Sequence, residues 1–192
     1  MGREFELKYA ATPAQQVEIA ARFGVSHTVT METTYYDTPD GALAARHITL
    51  RRRMENGVSV CTVKTPAAGH GRGEWEIECG DITEAIPELY KLCCSVDLIS
   101  LTAGGVVPVC GARFTRLVKT LISEECTVEI ALDSGVLVGG DEQMPLCEVE
   151  VELKSGSEEA AVAFAQALAQ EYGLIPEKKS KFRRALALAG KL

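Results

Sequence analysis

Long hydrophobic runs and an excess of positive charge are both missing from this sequence. No apolar stretch approaches the length needed to span a membrane, and the start of the chain has no signal-peptide pattern. Lys and Arg number 20 against 27 Asp and Glu, so the net charge is −7. We therefore expect no nucleic-acid partner and no membrane partner, and any anion site must be a local cluster of Lys and Arg.

Paired cysteines and nucleotide-binding motifs are lacking as well. Seven cysteines are present, and none forms a C-x-x-C pair. An odd, unpaired set does not favour a disulfide framework, and reduced thiols fit a cytoplasmic location. The patterns of zinc sites, P-loops and dinucleotide-binding turns are missing. No linker rich in Pro, Gly or Ser divides the chain, so we expect residues 1–192 to form a single domain.

Two strand-like segments carry charge at every second position. They are "EFELK" near the start and "CEVEVELK" near the end. At strand period the apolar residues face one way and the charged residues the other. The charged faces hold Glu4, Glu6 and Lys8 in the first segment and Glu148, Glu150, Glu152 and Lys154 in the second. Neighbouring carboxylates raise one another's pKa unless a cation lies between them, so these faces need cationic partners.

The cations are concentrated on a predicted hairpin. In "LRRRMENGVSVCTVK" the turn is Asn56–Gly57, because a type I′ turn needs positive φ at both central positions. Arg51 and Arg53 share a face of the first arm, and Lys64 lies on the second arm. The next strand, "RGEWE", adds two acids on one face: Glu74 and Glu76. Charges are thus sorted by sign from strand to strand.

Two architectures accommodate these strands. An ordinary sheet would turn the charged face to solvent. A closed barrel would pack its apolar side outward against helices and line its lumen with the charges. In the barrel, Arg and Lys could hold phosphate oxygens, while carboxylates could hold Mg²⁺ or Mn²⁺.

An ordered set of segments resembles the CYTH family of triphosphate tunnel metalloenzymes. After "EFELK" come "YYDTPDGAL", "LRRR", "TVKTP", "RGEWE", "RFTR", "VEIALDSG", "CEVEVELKSG" and "KKSKFRRAL", which together span almost the whole chain. The set is most similar to the bacterial inorganic triphosphatase branch. The resemblance implies an α+β fold: a closed eight-stranded antiparallel β-barrel, open as a tunnel, with helices on its outside. We expect no CHAD domain in this chain.

The same resemblance implies roles for individual residues. The expected metal ligands are Glu4, Glu6, Glu148 and Glu150. The expected phosphate-binding cations are Lys8, Arg51, Arg53, Lys64, Arg116 and Lys181, with Lys179 as an alternative to Lys181. Glu74 and Glu76 both fit one motif position, and Glu129 and Asp133 would hold Arg side chains or a second metal. The residues expected at the centre of the chemistry are Lys8, Glu6 and Glu150.

The function implied is metal-dependent hydrolysis of inorganic triphosphate. Thiamine triphosphatase and class IV adenylate cyclase are alternatives on the same fold. A noncatalytic polyphosphate- or nucleotide-binding module, or a purely structural β-domain, are alternatives of other classes. The expected partner is a small molecule that contains a triphosphate, and the expected assembly is a monomer or a homodimer.

Overall fold

The fold is α+β, with one large antiparallel sheet and helices packed on it. The computed structural model describes residues 2–66, 72–93 and 96–191. The ten strands of the described residues are β1 Gly2–Glu4, β2 Glu6–Ala10, β3 His27–Asp37, β4 Thr49–Glu55, β5 Val58–Pro66, β6 Arg72–Glu78, β7 Val107–Ile122, β8 Cys126–Gly139, β9 Glu142–Gly156 and β10 Ile175–Pro176. The helices are α1 Pro13–Phe23, α2 Ala42–Ala45, α3 Ile82–Cys93, α4 Leu98–Leu101, α5 Glu158–Tyr172 and α6 Lys181–Leu188. Among them, none is both long and apolar enough to cross a bilayer.

The amino-terminal segment contacts both ends of the sheet. The strand order is β1-β6-β5-β4-β3-β7-β8-β9-β2-β10. At one end Glu4 of β1 pairs with Arg72 of β6. Near the other end Lys8 of β2 pairs with Glu150 of β9. A single residue, Phe5, separates β1 from β2.

Ten strands are more than the eight expected, for two local reasons. The amino-terminal strand is divided at Phe5, because its first part pairs with β6 and its second part pairs with β9. The other addition is β10, a strand of two residues that pairs with the end of β2. Neither addition changes the order of the main strands.

Helices cover the apolar face of the sheet. Val149 and Val151 of β9 are fully buried in a cluster that includes Ile19 of α1 and Ala165 of α5. A second cluster joins α3 to β4 and β5. Since alternate residues of a strand point to opposite faces, burying these residues under the helices turns the charged residues to the other side.

Local sequence signals set the ends of these elements. Thr12 caps α1 in a reciprocal capping box with Gln15, Pro13 is the first helical residue, and Gly24 ends the helix in the left-handed conformation. The predicted hairpin turn is confirmed: β4 and β5 join at Asn56–Gly57, with φ of 48° and 91°. The two turn residues therefore determine where the chain reverses within the cationic hairpin, whose first strand lies beside β3.

Candidate active site

A cavity of about 720 Å³ lies on the charged side of the sheet. Its wall is formed by side chains from the strands and from the start of α6. Eight cations and eight carboxylates line it among the described residues. The cations are Lys8, Arg51, Arg53, Lys64, Arg72, Arg116, Lys154 and Lys181. The carboxylates are Glu4, Glu6, Glu55, Glu74, Glu76, Glu129, Glu150 and Glu152.

Most of the residues singled out in the sequence lie on this wall. All six expected phosphate-binding cations line the cavity, and so do Glu74, Glu76 and Glu129. Lys181 lines it and Lys179 does not, so the structure separates these two alternatives by position. Asp133 and Glu148 are fully buried behind the wall instead of facing the cavity.

Lys181 lies at the centre of a buried group of acids. Its Nζ is 2.8 Å from Asp133 Oδ2, 2.6 Å from Glu148 Oε2 and 2.6 Å from Glu150 Oε1. Burial alone would disfavour the charge, but the three carboxylates together raise the pKa of Lys181. The ammonium therefore neutralises acids that would otherwise need another cation. Ser180 caps α6, the helix that carries Lys181.

Arg116 joins the same group from β7. Its Nε and Nη2 donate to the two carboxylate oxygens of Asp133 at 2.7 and 2.8 Å, and Nη2 also donates to Glu150. Despite the cost of burial, Lys181 and Arg116 hold the pKa of Glu150 well below its usual range. Arg184 donates to Glu148. The buried end of the cavity is thus neutralised by the protein's own cations.

A second group of ion pairs surrounds Lys64. Its Nζ lies 2.6 and 2.7 Å from the two oxygens of Glu4 and 3.2 Å from Glu74 Oε2. Glu74 also accepts from Arg51 at 3.2 Å. Burial opposes ionisation of Glu74, but Lys64 and Arg51 lower its pKa. Lys64 and Arg51 are therefore held against the wall by carboxylates beside the amino-terminal strand.

Glu6 differs from Glu4, Glu74 and Glu150 because it lacks a close cationic partner. The nearest cation, Lys8 Nζ, is 3.9 Å from Glu6 Oε1, and the side chain is 30% exposed in the cavity. Enclosure by the protein raises the pKa of Glu6 to about 7, and the charges of Glu150 and Glu4 add to that shift. A cation placed beside Glu6 would relieve this repulsion.

Arg53 forms an ion pair with Glu55 but is also surrounded by other guanidinium groups. Burial is the largest cause that lowers the pKa of Arg53, and the like charges of Arg51 and Arg116 lower it further. The carboxylate of Glu55 has the opposite effect. Three guanidinium groups therefore influence one another across the cavity. An anion between them would be stabilised by all three, and Arg offers the planar donor geometry that phosphate oxygens accept.

The donor set fits a hard divalent metal on one side of the cavity. Glu4, Glu6 and Glu150 offer only oxygen, which suits Mg²⁺ or Mn²⁺. The oxygens of Glu4 already accept from Lys64, and those of Glu150 from Lys181 and Arg116, so among these three Glu6 alone has no cation of the described residues within hydrogen-bond distance. The ligand atoms of Asp133, Glu148 and Glu150 also lie within 4.8 Å of one another, but the Lys181 ammonium already contacts all three carboxylates. Glu148 was expected to be a ligand, yet its carboxylate is turned to Lys181 and Arg184.

The sequence matches the family model of the CYTH domain over residues 2–186. The chain belongs to the CYTH domain family.

Relatives of this CYTH domain include named triphosphatases. The chain is 28% identical over 200 residues to an inorganic triphosphatase of Haemophilus influenzae, covering all of this chain but 56% of that protein. It thus spans only about half the length of that relative. It is 27% identical over 188 residues to the thiamine-triphosphatase of Homo sapiens, covering 97% of this chain and 77% of that protein.

A solved structure supports the fold of this CYTH domain. An adenylyl cyclase candidate from Hippeastrum, described as having a dominant triphosphatase activity, superposes with a TM-score of 0.67 at 20% identity. The match covers 98% of this chain and 97% of that one. At this identity the likeness concerns the fold alone.

Several residues of the CYTH site were missed in the sequence. Arg72 and Glu55 line the cavity. Strand alternation places Arg72 on the face of Glu74 and Glu55 on the face of Arg53, but neither was expected to be a site residue. Arg184 lies three residues after Lys181, which places both on one helix face. Gln16 of α1 contacts the backbone behind the buried acids, and no periodic pattern signals it.

Proposed function

We propose that this CYTH domain hydrolyses inorganic triphosphate to diphosphate and phosphate with the help of Mg²⁺ or Mn²⁺. The observation that carries the proposal is one cavity lined by both cations and carboxylates, in which Glu6 has no cation closer than 3.9 Å among the described residues. Like charges also crowd the Arg53 guanidinium, although it forms an ion pair with Glu55. A polyanion and a divalent cation bound together would relieve both.

We propose that the sheet closes into an eight-stranded tunnel around this cavity. The support is the amino-terminal segment, whose β1 pairs with β6 and whose β2 pairs with β9. Counting β1 and β2 as one strand interrupted at Phe5, and leaving β10 aside, the strand order would give a ring of eight strands. A closed sheet has no free edge and encloses a lumen, which would keep a small anion surrounded by protein.

The cations of the wall would bind the triphosphate. Arg51, Arg53 and Arg116 would donate to its oxygens as flat forks, while Lys8 and Lys64 would act as point charges. Phosphoryl transfer needs positioning and charge stabilisation more than covalent participation by protein groups. The charge that develops on the departing diphosphate would therefore be stabilised by this wall.

The carboxylates would hold the metal. Glu4, Glu6 and Glu150 are the residues that could bind it from the cavity side. When bound, Mg²⁺ or Mn²⁺ would neutralise phosphate oxygens and lower the pKa of a water molecule for attack on the terminal phosphorus. Lys8 is the strand partner of Glu150 on β2 and β9, and both line the cavity, so its ammonium would bind phosphate on the same wall as that carboxylate.

Hydrolysis of thiamine triphosphate is the second candidate. The observation that favours it is the similarity to the human thiamine-triphosphatase along almost the whole chain. The cavity of about 720 Å³ leaves room for an organic group attached to the phosphates. The aromatic side chains Tyr35, Phe114 and Phe182 on the wall are buried, while Trp75 lines the cavity and is half-buried.

A substrate panel tests the proposal. Phosphate release is measured from inorganic triphosphate, diphosphate, long polyphosphate, ATP and thiamine triphosphate, each with Mg²⁺ and with Mn²⁺. We expect the highest kcat/KM with inorganic triphosphate. A preference for thiamine triphosphate would favour the second candidate, a cyclic product from ATP would indicate a cyclase, and binding without turnover would indicate a noncatalytic module.

A pair of arginine variants links the activity to the cavity. Arg53 lines the cavity, whereas the adjacent Arg52 donates to the carbonyl of Gly80 outside it. Arg53→Met should raise KM for triphosphate strongly, and Arg52→Met should leave it unchanged. Cytoplasmic location and assembly as a monomer or homodimer remain predictions, which fractionation and light scattering would check.

A further inference from the structure

Gln16 is a buried amide in an apolar contact between α1 and the sheet. Its side chain is enclosed, with 7% of the residue exposed. Ile19, one turn further along the helix, belongs to the apolar cluster that joins α1 to β8 and β9. A buried amide costs free energy unless its donors and its acceptor are bonded, so the position of Gln16 calls for a specific partner.

Its partners are two backbone carbonyls on neighbouring strands. Gln16 Nε2 donates to the carbonyl oxygen of Asp133 at 3.0 Å and to that of Glu148 at 2.7 Å. Gln16 Oε1 accepts from Ser134 Oγ. Asp133 and Glu148 are paired residues of β8 and β9. One side chain on the outer face therefore holds both strands together at one pair of residues.

The side chains of the same two residues act on the inner face. Asp133 binds the guanidinium of Arg116 through two hydrogen bonds of 2.7 and 2.8 Å. Asp133 and Glu148 both lie against the Lys181 ammonium, at 2.8 and 2.6 Å. Arg116 and Lys181 line the cavity. The amide is thus separated from these two cations by one layer of buried acid.

We propose that Gln16 is a positioning residue for substrate binding. By fixing the backbone at Asp133 and Glu148, it holds the Arg116 guanidinium and the Lys181 ammonium in the arrangement that receives phosphate oxygens. The identity of the ligand rests on the proposed function, while the effect on Arg116 does not. A residue that only seals α1 against the sheet would affect stability and leave ligand affinity unchanged.

The test compares two adjacent glutamines. Gln16→Met keeps the length of the side chain and removes its hydrogen bonds. Gln15→Met is the matched control, because the Gln15 amide bonds to Thr12 and to the Tyr172 carbonyl instead. Three quantities are measured: the Kd for inorganic triphosphate with Ca²⁺, the melting temperature, and the NMR signal of the Arg116 Nε–H group, assigned with Arg116→Lys.

We expect Gln16→Met to weaken triphosphate binding on the order of tenfold, the usual effect of losing an outer supporting contact. The Arg116 Nε–H signal should shift and exchange faster with water. Gln15→Met should lower the melting temperature and leave both the Kd and the Arg116 signal unchanged. If Gln16→Met does not fold, Ser134→Ala replaces it, since this variant removes the bond that orients the Gln16 amide, together with a contact to the Cys147 thiol.

An unchanged Arg116 signal in the Gln16 variant would overturn the positioning role, whatever the ligand. A loss of stability with an unchanged Kd would do the same and leave only the sealing role. If the wild-type protein does not bind triphosphate at all, the proposed function fails, and the Arg116 signal alone then decides the positioning role. The two proposals can therefore fail separately.

Discussion

The cavity wall has two regions that use the same residue types for different purposes. Around α6, the acids Asp133, Glu148 and Glu150 are matched by Lys181, Arg116 and Arg184 in close ion pairs. Around β2, Glu6 has no cation closer than 3.9 Å among the described residues. The first region is electrically complete, whereas the second is incomplete.

The difference in ion pairing between the two regions indicates that they have different roles. Burying unpaired charges is expensive, so a fully paired network is stable and does not need a ligand. An unpaired carboxylate next to other carboxylates is unfavourable until a cation arrives. We therefore propose that the α6 region holds the wall in place and presents Arg116 and Lys181 to phosphate, and that the β2 region binds the metal. Glu150 belongs to both regions, since it lies against Lys181 and also raises the pKa of Glu6.

The largest expected effect is the loss of turnover when the incomplete region loses a charge. Glu6→Gln should reduce kcat for triphosphate by roughly 10²–10³, the usual effect of losing a well-placed charge-stabilising contact. Its melting temperature should not fall, because the substitution removes repulsion from Glu4 and Glu150. Glu150→Gln should lose turnover as well and should also lose stability. Phosphate release and thermal unfolding, measured on both variants, check this contrast.

Near wild-type turnover in both variants would remove the metal assignment. If Glu6→Gln is inactive because the protein is unfolded, the predicted difference in stability between the Glu6 and Glu150 variants is wrong. The matched control is Glu152→Gln, which lies across from Glu6 on β9 and pairs with Lys154 at 2.9 Å. We expect only a small change in kcat from this variant.

The second expected effect is a loss of stability in the complete region. Lys181→Met leaves three carboxylates without their shared cation, and breaking such a buried network typically costs about 3–5 kcal/mol. Lys179→Met is the control, because Lys179 is exposed and lies off the cavity wall. Urea unfolding of both variants measures the difference. Equal stabilities would show that the α6 network does not support the wall.

The third and smallest effect is a dependence of stability on pH through Glu74. Despite the opposing effect of burial, Lys64 and Arg51 lower its pKa from the ordinary value of 4.5. A lowered pKa in the folded state gives stability that is present above the ordinary value and is lost as the pH falls through the folded pKa. The melting temperature of wild type should therefore exceed that of Glu74→Gln above pH 4.5, and the gap should close in more acidic buffer. A gap that widens below this pH would contradict the assignment.

The residues of the strands that face the cavity could be predicted from the sequence by strand alternation. It placed Glu4, Glu6 and Lys8 on the face that lines the cavity, because side chains in a strand alternate strictly between two faces. It could not distinguish Glu148 from Glu150. These two residues share a face, and the depth at which each lies depends on where α6 packs against the sheet.

Strand periodicity by itself does not show which distant segments meet. Lys181 meets Asp133 from a helix that begins 48 residues further along the chain, at Lys181 itself. Gln16 is one polar residue on an amphipathic helix, and only the packed structure shows that two carbonyls face it. The break in the amino-terminal strand at Phe5 likewise arises from pairing with β6 and β9, which lie far apart in sequence.

The most direct test of the account is the thermal stability of wild type and of Glu6→Gln with inorganic triphosphate and Ca²⁺, added singly and together. Ligands that bind only the folded state raise the melting temperature. We predict that the two ligands together raise that of the wild type more than the sum of their separate effects, and that Glu6→Gln loses this excess. Additive or absent shifts in the wild-type protein would contradict a cavity that binds metal and triphosphate side by side.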